Sequence, residues 1–186
     1  MVWKWTGAAP FILMAGLYNL TRVKEEVRLA VAEQREEFGP QNPHYASFVE
    51  ESFAQQAFMR LMGAQLLKVV PGEVEILLPF NKDLTQQHGF LHAGVVTTIV
   101  DNACGYAALS LMPAGASVLT VEFKVNFLAP AKGERFIAKG SVIKPGKTIT
   151  VCVGEVLAIN GEVPKLIATI SATMMMLLGR PGVVPG

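Results

Sequence analysis

The stretch QQHGFLHAGVVTTIVDN, residues 86–102, holds the side chains of this 186-residue chain that are best suited to chemistry. Two imidazoles, at His88 and His92, are four residues apart, and Asp101 follows among apolar neighbours. A buried carboxylate can act as a general base or as a nucleophile. The types and spacing are therefore compatible with a metal site, a binding strand or part of a catalytic helix.

A metal site is the weakest of these interpretations. Histidines at i and i+4 form one ligand face only on a helix, but Gly89 lies between them and no Cys or Glu nearby completes the shell. Gly89 and Gly94 have the spacing of a phosphate loop, yet Val95 and Val96 occupy the positions where such a loop needs Lys and Ser or Thr. We expect neither a metal nor a nucleotide loop.

The secondary structure of this stretch decides the fold. Residues 95–100 are all β-branched, which favours a strand, with Asp101 as the N-cap of a short helix over 102–112. Burial can override β-propensity, however, and residues 93–112 contain no proline. Apolar side chains also recur at helical spacing across the supposed boundary, at Val96, Ile99 or Val100, Ala103, Ala107 and Leu111. We predict one long central helix.

A helix that begins near His92 or Ala93 directs its free backbone N–H groups at the preceding turn, where they favour a developing negative charge. Asp101 would then lie about two turns further on, ~12–13 Å along the axis. It could not easily reach a substrate held at the helix N-terminus of its own chain. A two-fold dimer could supply the aspartate from the partner subunit.

Over residues 58–178 the chain resembles the hotdog-fold acyl-CoA thioesterases of the phenylacetate-pathway (PaaI-like) type. The segments that carry the resemblance are LHAGVVTTIVD, TVEFKVNFLAPAKGE and VIKPGKTITVCVGEV. It implies an α+β hotdog fold, in which a curved antiparallel sheet wraps a long central helix. It also implies hydrolysis of acyl-CoA at the interface of a homodimer, with a homotetramer as the expected assembly. No cofactor is implied, because coenzyme A is part of the substrate.

Carried over residue by residue, the resemblance places the catalytic acid at Asp101, as a general base on water or a nucleophile on the thioester carbonyl. The hydroxyl that assists this acid falls on Thr120. The group that orients water or the leaving sulfur falls on Gln86, where the family usually has the shorter Asn.

The same resemblance assigns the turn into the helix. His92 would help to hold the thioester and to orient the turn, and the backbone N–H of Ala93, with that of Gly94, would be the oxyanion donor. The family commonly has His-Gly-Gly here, whereas Ala93 fills the middle position. An alanine still donates its N–H, but it adopts fewer backbone conformations than a glycine.

Substrate-binding positions are predicted at two further places. The spacing of Lys144, Gly146 and Lys147 by itself indicates a solvated hairpin turn. The resemblance makes this turn a contact for the CoA phosphates or adenine, because its N–H groups lie beside two ammonium charges. We expect an apolar acyl end to be lined by three side chains of an upstream helix: Phe53, Phe58 and Met62.

Two other functions stay open at this point. Asp83 and His88 have the D-x4-H spacing of hotdog hydratases and dehydratases, although residues 84–87, LTQQ, lack the usual Asn-Pro. A non-catalytic acyl-CoA-binding protein is the second alternative. The changes at Gln86 and Ala93 favour it, but a binder needs no buried acid.

The remaining pattern predicts an antiparallel sheet preceded by helices. An amphipathic helix is predicted over 20–38, and Ser47 and Glu50 are spaced as a capping box for a second helix that ends at Gly63. Predicted strands cover 74–79, 118–127, 136–143, 148–159 and 165–178. In the second of these, the alternating side chains expected to face the core are Leu119, Val121, Phe123, Val125 and Phe127.

Composition bounds the class of protein. Residues are 51% hydrophobic, and we expect part of this surplus to form a subunit interface. A net charge of +1 without a basic stripe argues against nucleic acid as a partner. Cys104 and Cys152 lie in apolar runs and are predicted to be reduced core residues of a cytoplasmic protein.

Domain organisation is predicted as an N-terminal extension over 1–45, a hotdog domain over 46–180 and a tail over 181–186. The extension contains an apolar run over 8–20 that resembles the middle of a secretory signal. It is too short to span a bilayer as a helix and contains Pro10, so we expect a docked extension rather than a membrane anchor.

Overall fold

The structure is a computed structural model that describes residues 38–179. The predicted apolar segment over 8–20 and the tail over 181–186 lie outside these residues, and so does all but the last residue of the predicted helix over 20–38. The domain boundaries therefore stay predictions. Among the described helices, none is both long and apolar enough to cross a membrane.

Six strands form one antiparallel sheet in the order β1-β2-β4-β5-β6-β3. Their bounds are β1 Gln65–Val70, β2 Glu73–Pro79, β3 Ala116–Phe127, β4 Arg135–Lys144, β5 Ile149–Asn160 and β6 Val163–Leu178. The five predicted strands are confirmed within two residues at each end. β1 was missed because it shows no alternation of buried and exposed residues and contains a bulge between Leu66 and Lys68.

The central helix α3 runs over Ala93–Leu109, so the prediction of a helix is correct and the alternative of a strand is wrong. Two of its β-branched residues are threonines whose hydroxyl groups form hydrogen bonds within the helix. Thr97 Oγ1 donates to the Ala93 carbonyl (2.9 Å), and Thr98 Oγ1 donates to the Gly94 carbonyl (2.7 Å). Ten of the seventeen residues of α3 are buried, and this burial outweighs the β-propensity of residues 95–100.

Two glycines let the helix approach the sheet closely. Gly140 of β4 and Gly154 of β5 are directly paired. A Cβ at Gly140 would overlap the backbone of Ala103, and a Cβ at Gly154 would come within 2.9 Å of Val100 Cγ2. Since these contacts flank Asp101 in the sequence, the paired glycines set the position of the helical turn that carries the acid.

The upstream helical segment is divided in two, α1 at Tyr45–Gln55 and α2 at Ala57–Met62, and it ends at Gly63 as predicted (φ 76°). The capping box is wrong. Asn42 Oδ1 accepts the His44 N–H (3.0 Å) and starts the helix earlier, so that Ser47 lies inside it and donates to the His44 carbonyl. At the break, Gln56 Nε2 donates to the Tyr106 hydroxyl (2.7 Å).

β3 is the edge strand beside β6, and only part of the predicted core face is correct. A bulge between Thr120 and Glu122 inverts the alternation, as bulges do. Before it, Thr120 pairs with the buried Met174, and after it Phe123 pairs with the buried Ala172. Of the five side chains predicted to face the core, only Val125 is partly buried. The other four are about half-exposed: Leu119 (50%), Val121 (54%), Phe123 (48%) and Phe127 (52%).

Both cysteines are buried and free, as predicted. Burial raises the pKa of Cys152 to about 12 and places the pKa of Cys104 well above its ordinary value. Neither thiol is therefore a reactive thiolate at neutral pH.

Candidate active site

The turn that precedes α3 is held by backbone hydrogen bonds. The Gln86 N–H donates to the Phe90 carbonyl (2.9 Å), and Gly89 reverses the chain between them with a φ of 78°. The His92 N–H donates to the Leu84 carbonyl (2.9 Å), while the Leu91 N–H donates to a carbonyl in the loop after β3. These bonds fix where Gln86 and His92 stand relative to the start of the helix.

His92 is the N-cap of α3 through its side chain. Its Nδ1 accepts the Gly94 N–H at 2.9 Å, so the proton of the neutral ring lies on Nε2. The Gly94 N–H, predicted as a second oxyanion donor, is thereby occupied. The Ala93 N–H makes no hydrogen bond within residues 38–179 and is the donor left free at this helix terminus.

A cavity of about 530 Å³ opens beside this free N–H. Its polar lining comes from three residues predicted for the site, Gln86, His92 and Ala93. The rest of the lining is apolar, and its main side chains are Val96, Phe127, Leu128, Pro130 and Ile167. None of the lining residues is charged. The structure thus brings the predicted donor end of the site together around one cavity.

Asp101 and Thr120 form a second group. Thr120 Oγ1 donates to Asp101 Oδ1 at 3.0 Å, and Met174 Sδ lies 3.5 Å from the same hydroxyl. Burial raises the pKa of Asp101, and the hydrogen bond from Thr120 opposes that rise. A carboxylate with a raised pKa is the stronger base, which suits proton transfer near neutral pH.

The two groups are separate within one chain. Ala93 and Asp101 are eight residues apart on the same helix, which corresponds to about 12 Å along its axis. The free N–H and the carboxylate therefore cannot act on opposite sides of one small reacting group in a single subunit.

The predicted CoA-binding turn lies at the far end of the sheet. Lys144 ends β4 and Gly146 and Lys147 follow it, whereas the loop that lines the cavity precedes this strand. The ten residues of β4 span roughly 33 Å. The structure does not bring this turn to the cavity of its own chain.

The three residues predicted for an acyl end do not line the cavity either. Phe53 is buried and packs edge-to-face on Tyr106, with ring centroids 5.7 Å apart. Met62 is buried in the core, and Phe58 is exposed on α2. Phe53 and Met62 therefore contribute to the packing of the core.

Asp83 and His88, the pair considered for a hydratase, are both exposed and line no part of the cavity. In the described part of the chain, no three His, Cys, Asp or Glu side chains lie close enough to share a metal ion. The residues that sequence reasoning missed are the apolar lining and Met174. No sequence signal marks them, since the cavity draws its residues from three separate regions of the chain, 86–96, 127–131 and 167.

Comparison with known proteins identifies the family of this chain. A thioesterase family protein from Silicibacter pomeroyi, of known crystal structure, is 53% identical. The match covers 73% of this chain and 99% of that chain, with a TM-score of 0.72. The sequence model of the Thioesterase superfamily matches residues 88–165. This chain belongs to the thioesterase superfamily. The predicted resemblance and the hotdog fold of this thioesterase-family hydrolase are confirmed.

More distant relatives of this thioesterase-family chain include human acyl-coenzyme A thioesterase 13. It is 33% identical over 94 residues, which are 50% of this chain and 66% of the relative. The Escherichia coli PaaI protein from the phenylacetic acid degradation operon is 17% identical, with a TM-score of 0.64, over 74% of this chain and 96% of that chain. At that identity the likeness shows the fold alone.

Proposed function

We propose that the protein is an acyl-CoA thioesterase that hydrolyses a small or medium, aromatic or aliphatic acyl-CoA to the free acid and CoA. The observation that carries the proposal is the unpaired Ala93 N–H in a cavity wall, at the start of a helix that also holds a half-buried carboxylate. A helix terminus with a free donor stabilises an oxyanion, and a carboxylate with a raised pKa accepts a proton from water.

At the donor end, the thioester carbonyl oxygen accepts the Ala93 N–H. His92 cannot accept a proton through Nδ1, which its cap bond occupies, so its ring offers Nε2–H as a hydrogen-bond donor to the thioester. The Gln86 side chain, in the same cavity wall, orients water or the leaving sulfur. Its side chain is one methylene longer than that of the asparagine usual in the family.

At the acid end, Asp101 takes a proton from water while the water oxygen bonds to the thioester carbon. The oxyanion then collapses, the C–S bond breaks, and the CoA sulfur leaves with the proton from Asp101. Thr120 holds the carboxylate in one orientation through the 3.0 Å hydrogen bond. As a nucleophile, the Asp101 carboxylate would instead bond to the thioester carbon and expel CoA thiolate as the C–S bond breaks, and water would then hydrolyse the anhydride to the free acid and regenerate Asp101.

The separation of Ala93 from Asp101 supports a shared site, in which Asp101 serves the cavity of the partner subunit. β3 is an edge strand of the sheet in the described part of the chain, and Leu119, Val121 and Phe123 are about half-exposed along it. Pairing of two β3 edges around a two-fold axis would cover these side chains and close the edge. The assembly we propose is a homodimer that pairs further into a homotetramer.

The Lys144 turn fits the same arrangement. It lies a strand length from the cavity of its own chain, so we assign Lys144, Gly146 and Lys147 to the CoA phosphates at the partner's site.

The test compares the parent with Asp101→Asn on acetyl-, hexanoyl- and phenylacetyl-CoA, following free thiol with a chromogenic disulfide. We expect kcat/KM to fall by about 10²–10⁴ in the variant, because a positioned proton acceptor contributes that much. Asp83→Asn is the matched control, since Asp83 is exposed and outside the cavity. Equal thiol release by the parent and Asp101→Asn contradicts the proposal, and enoyl-CoA hydration without thiol release points to a hydratase.

A further inference from the structure

We propose that the cavity beside the Ala93 N–H is the acyl site and that it selects uncharged apolar acyl groups by both charge and length. This inference rests on the thioesterase function proposed above. It concerns which part of the substrate occupies the cavity and which residues decide its size.

The cavity runs from an exposed mouth, where the three polar lining groups lie with the half-exposed Phe127 and Leu128, to a buried apolar floor. Gln86, His92 and the Ala93 N–H stand at the mouth, whereas Val96 and Ile167 are each 1% exposed and form the floor. A thioester whose carbonyl meets the Ala93 N–H therefore extends one of its two substituents towards the floor.

The acyl group is the substituent that fits. The pantetheine arm carries two amides that need hydrogen-bond partners, and it must lead back to the charged nucleotide in solvent. The side chains at the floor offer no donor or acceptor, and an amide buried without a partner is strongly disfavoured. An acyl chain has a free apolar end and can terminate inside a closed pocket.

Charge discrimination follows from the lining. Because no lining residue carries a charge, a carboxylate at the far end of an acyl chain would lose its hydration without gaining a cationic partner. Hexanoyl-CoA and adipoyl-CoA have acyl chains of the same length and differ only in a terminal carboxylate. We expect kcat/KM to be at least about 100-fold higher for hexanoyl-CoA.

Length discrimination follows from the buried floor. Each methylene moved from water into the cavity should raise kcat/KM by about fourfold until the chain reaches Val96 and Ile167. Beyond that length kcat/KM should stop rising or fall, because a packed interior accommodates extra atoms poorly.

The experiment measures kcat/KM for straight-chain substrates from acetyl- to dodecanoyl-CoA, and for adipoyl-CoA, on the intact protein. Ile167→Ala lowers the floor and should move the preferred chain length up by about one to two carbons. Ile76→Ala is the matched control, since Ile76 is an equally buried isoleucine that does not line the cavity. It should leave the preferred length unchanged. If Ile167→Ala fails to fold, Ile167→Val replaces it in the experiment. It should shift the preferred chain length in the same direction by a smaller amount.

The outcomes separate this inference from the proposed function. Thiol release that depends on Asp101 but treats adipoyl- and hexanoyl-CoA alike overturns only the acyl-site assignment. The acyl-site assignment is also overturned if neither Ile167→Ala nor Ile76→Ala changes the preferred acyl-chain length. If the parent releases no thiol from any acyl-CoA, the proposed function fails and the assignment falls with it.

Discussion

At the scale of single residues, one backbone N–H and one carboxylate carry the proposed chemistry. The state of each depends on a hydrogen bond made by a nearby side chain. The His92 ring caps α3 and uses the Gly94 N–H, which leaves Ala93 as the free donor. Thr120 holds Asp101. Both arrangements depend on side chains that are close in space, and each can be altered by one substitution.

Ala93→Pro should remove the oxyanion donor without disturbing the helix. Ala93 is the first residue of α3, where proline is favoured, and His92 has φ −63° and ψ 139°, which a following proline accepts. We expect kcat to fall by about 10²–10³ with Tm changed by only a few degrees. Ala93→Gly keeps the N–H and should stay active. Full activity of Ala93→Pro in the thiol-release assay would place the oxyanion elsewhere.

Thr120→Val should move the pH dependence of the reaction. Burial raises the pKa of Asp101 and the Thr120 hydrogen bond lowers it, so loss of the hydroxyl leaves burial unopposed and raises the pKa further. Since the base must be ionised, the acidic limb of the kcat/KM profile should shift to higher pH, with the largest loss of activity on that limb.

Thr173→Val is the control for this shift. Thr173 donates to the exposed Glu122 on the same pair of strands and does not touch Asp101. Its profile should match that of the parent. An acidic limb that stays in place in Thr120→Val would show that Asp101 is not the group whose ionisation limits the reaction.

At the scale of elements, α3 is positioned by the sheet beneath it. The paired Gly140 and Gly154 admit the helix backbone beside Val100 and Ala103, on either side of Asp101. Side chains at these two positions would hold the helix away from the sheet, and the acid would move with it.

Gly140→Ala should therefore destabilise the fold by at least about 2 kcal/mol, because its Cβ meets helix backbone rather than a flexible side chain. Gly39→Ala is the control, since nothing lies within 4 Å of the added Cβ, and it should stay within about 0.5 kcal/mol of the parent. Urea unfolding measures both. A Gly140→Ala protein as stable as Gly39→Ala would mean that α3 is not held at this contact.

At the scale of the whole molecule, the proposed site requires two chains. Ala93 and Asp101 are about two helical turns apart in each subunit, and the edge strand β3 leaves apolar side chains exposed. The two-fold dimer that we propose would pair the donor end of one subunit with the acid end of the other.

Complementation between two inactive variants tests this arrangement. A heterodimer of Asp101→Asn and Ala93→Pro would contain one site with both groups intact and one with neither. With random pairing, the mixture should recover about a quarter of the parent's activity. Mixing Asp101→Asn with Asp101→Ala is the control and should recover nothing. Heterodimers isolated through two different tags that still lack activity would place both groups in one chain.

Much of the fold was predictable because its signals are local. The apolar ridge from Val96 to Leu111 predicted α3. Alternation predicted β3, and turn signals between strands predicted β2, β4, β5 and β6. β1 lacks alternation, and the β3 bulge at Thr120 depends on the register with β6, so neither was predicted. The Ser47 capping box failed because Asn42 competes for the same helix start.

By itself, the sequence determined the central helix, most of the sheet and, through its resemblance to a family, the residues to examine. The helix and the strands follow from the periodicity of apolar residues, which indicates the buried face of each element separately. Only the tertiary structure decided that the Ala93 N–H is free while that of Gly94 is used, and that Phe53 and Met62 belong to the core. It also decided that Val96 and Ile167 close one cavity. Such contacts join segments far apart in the chain, and no local pattern encodes which of them meet.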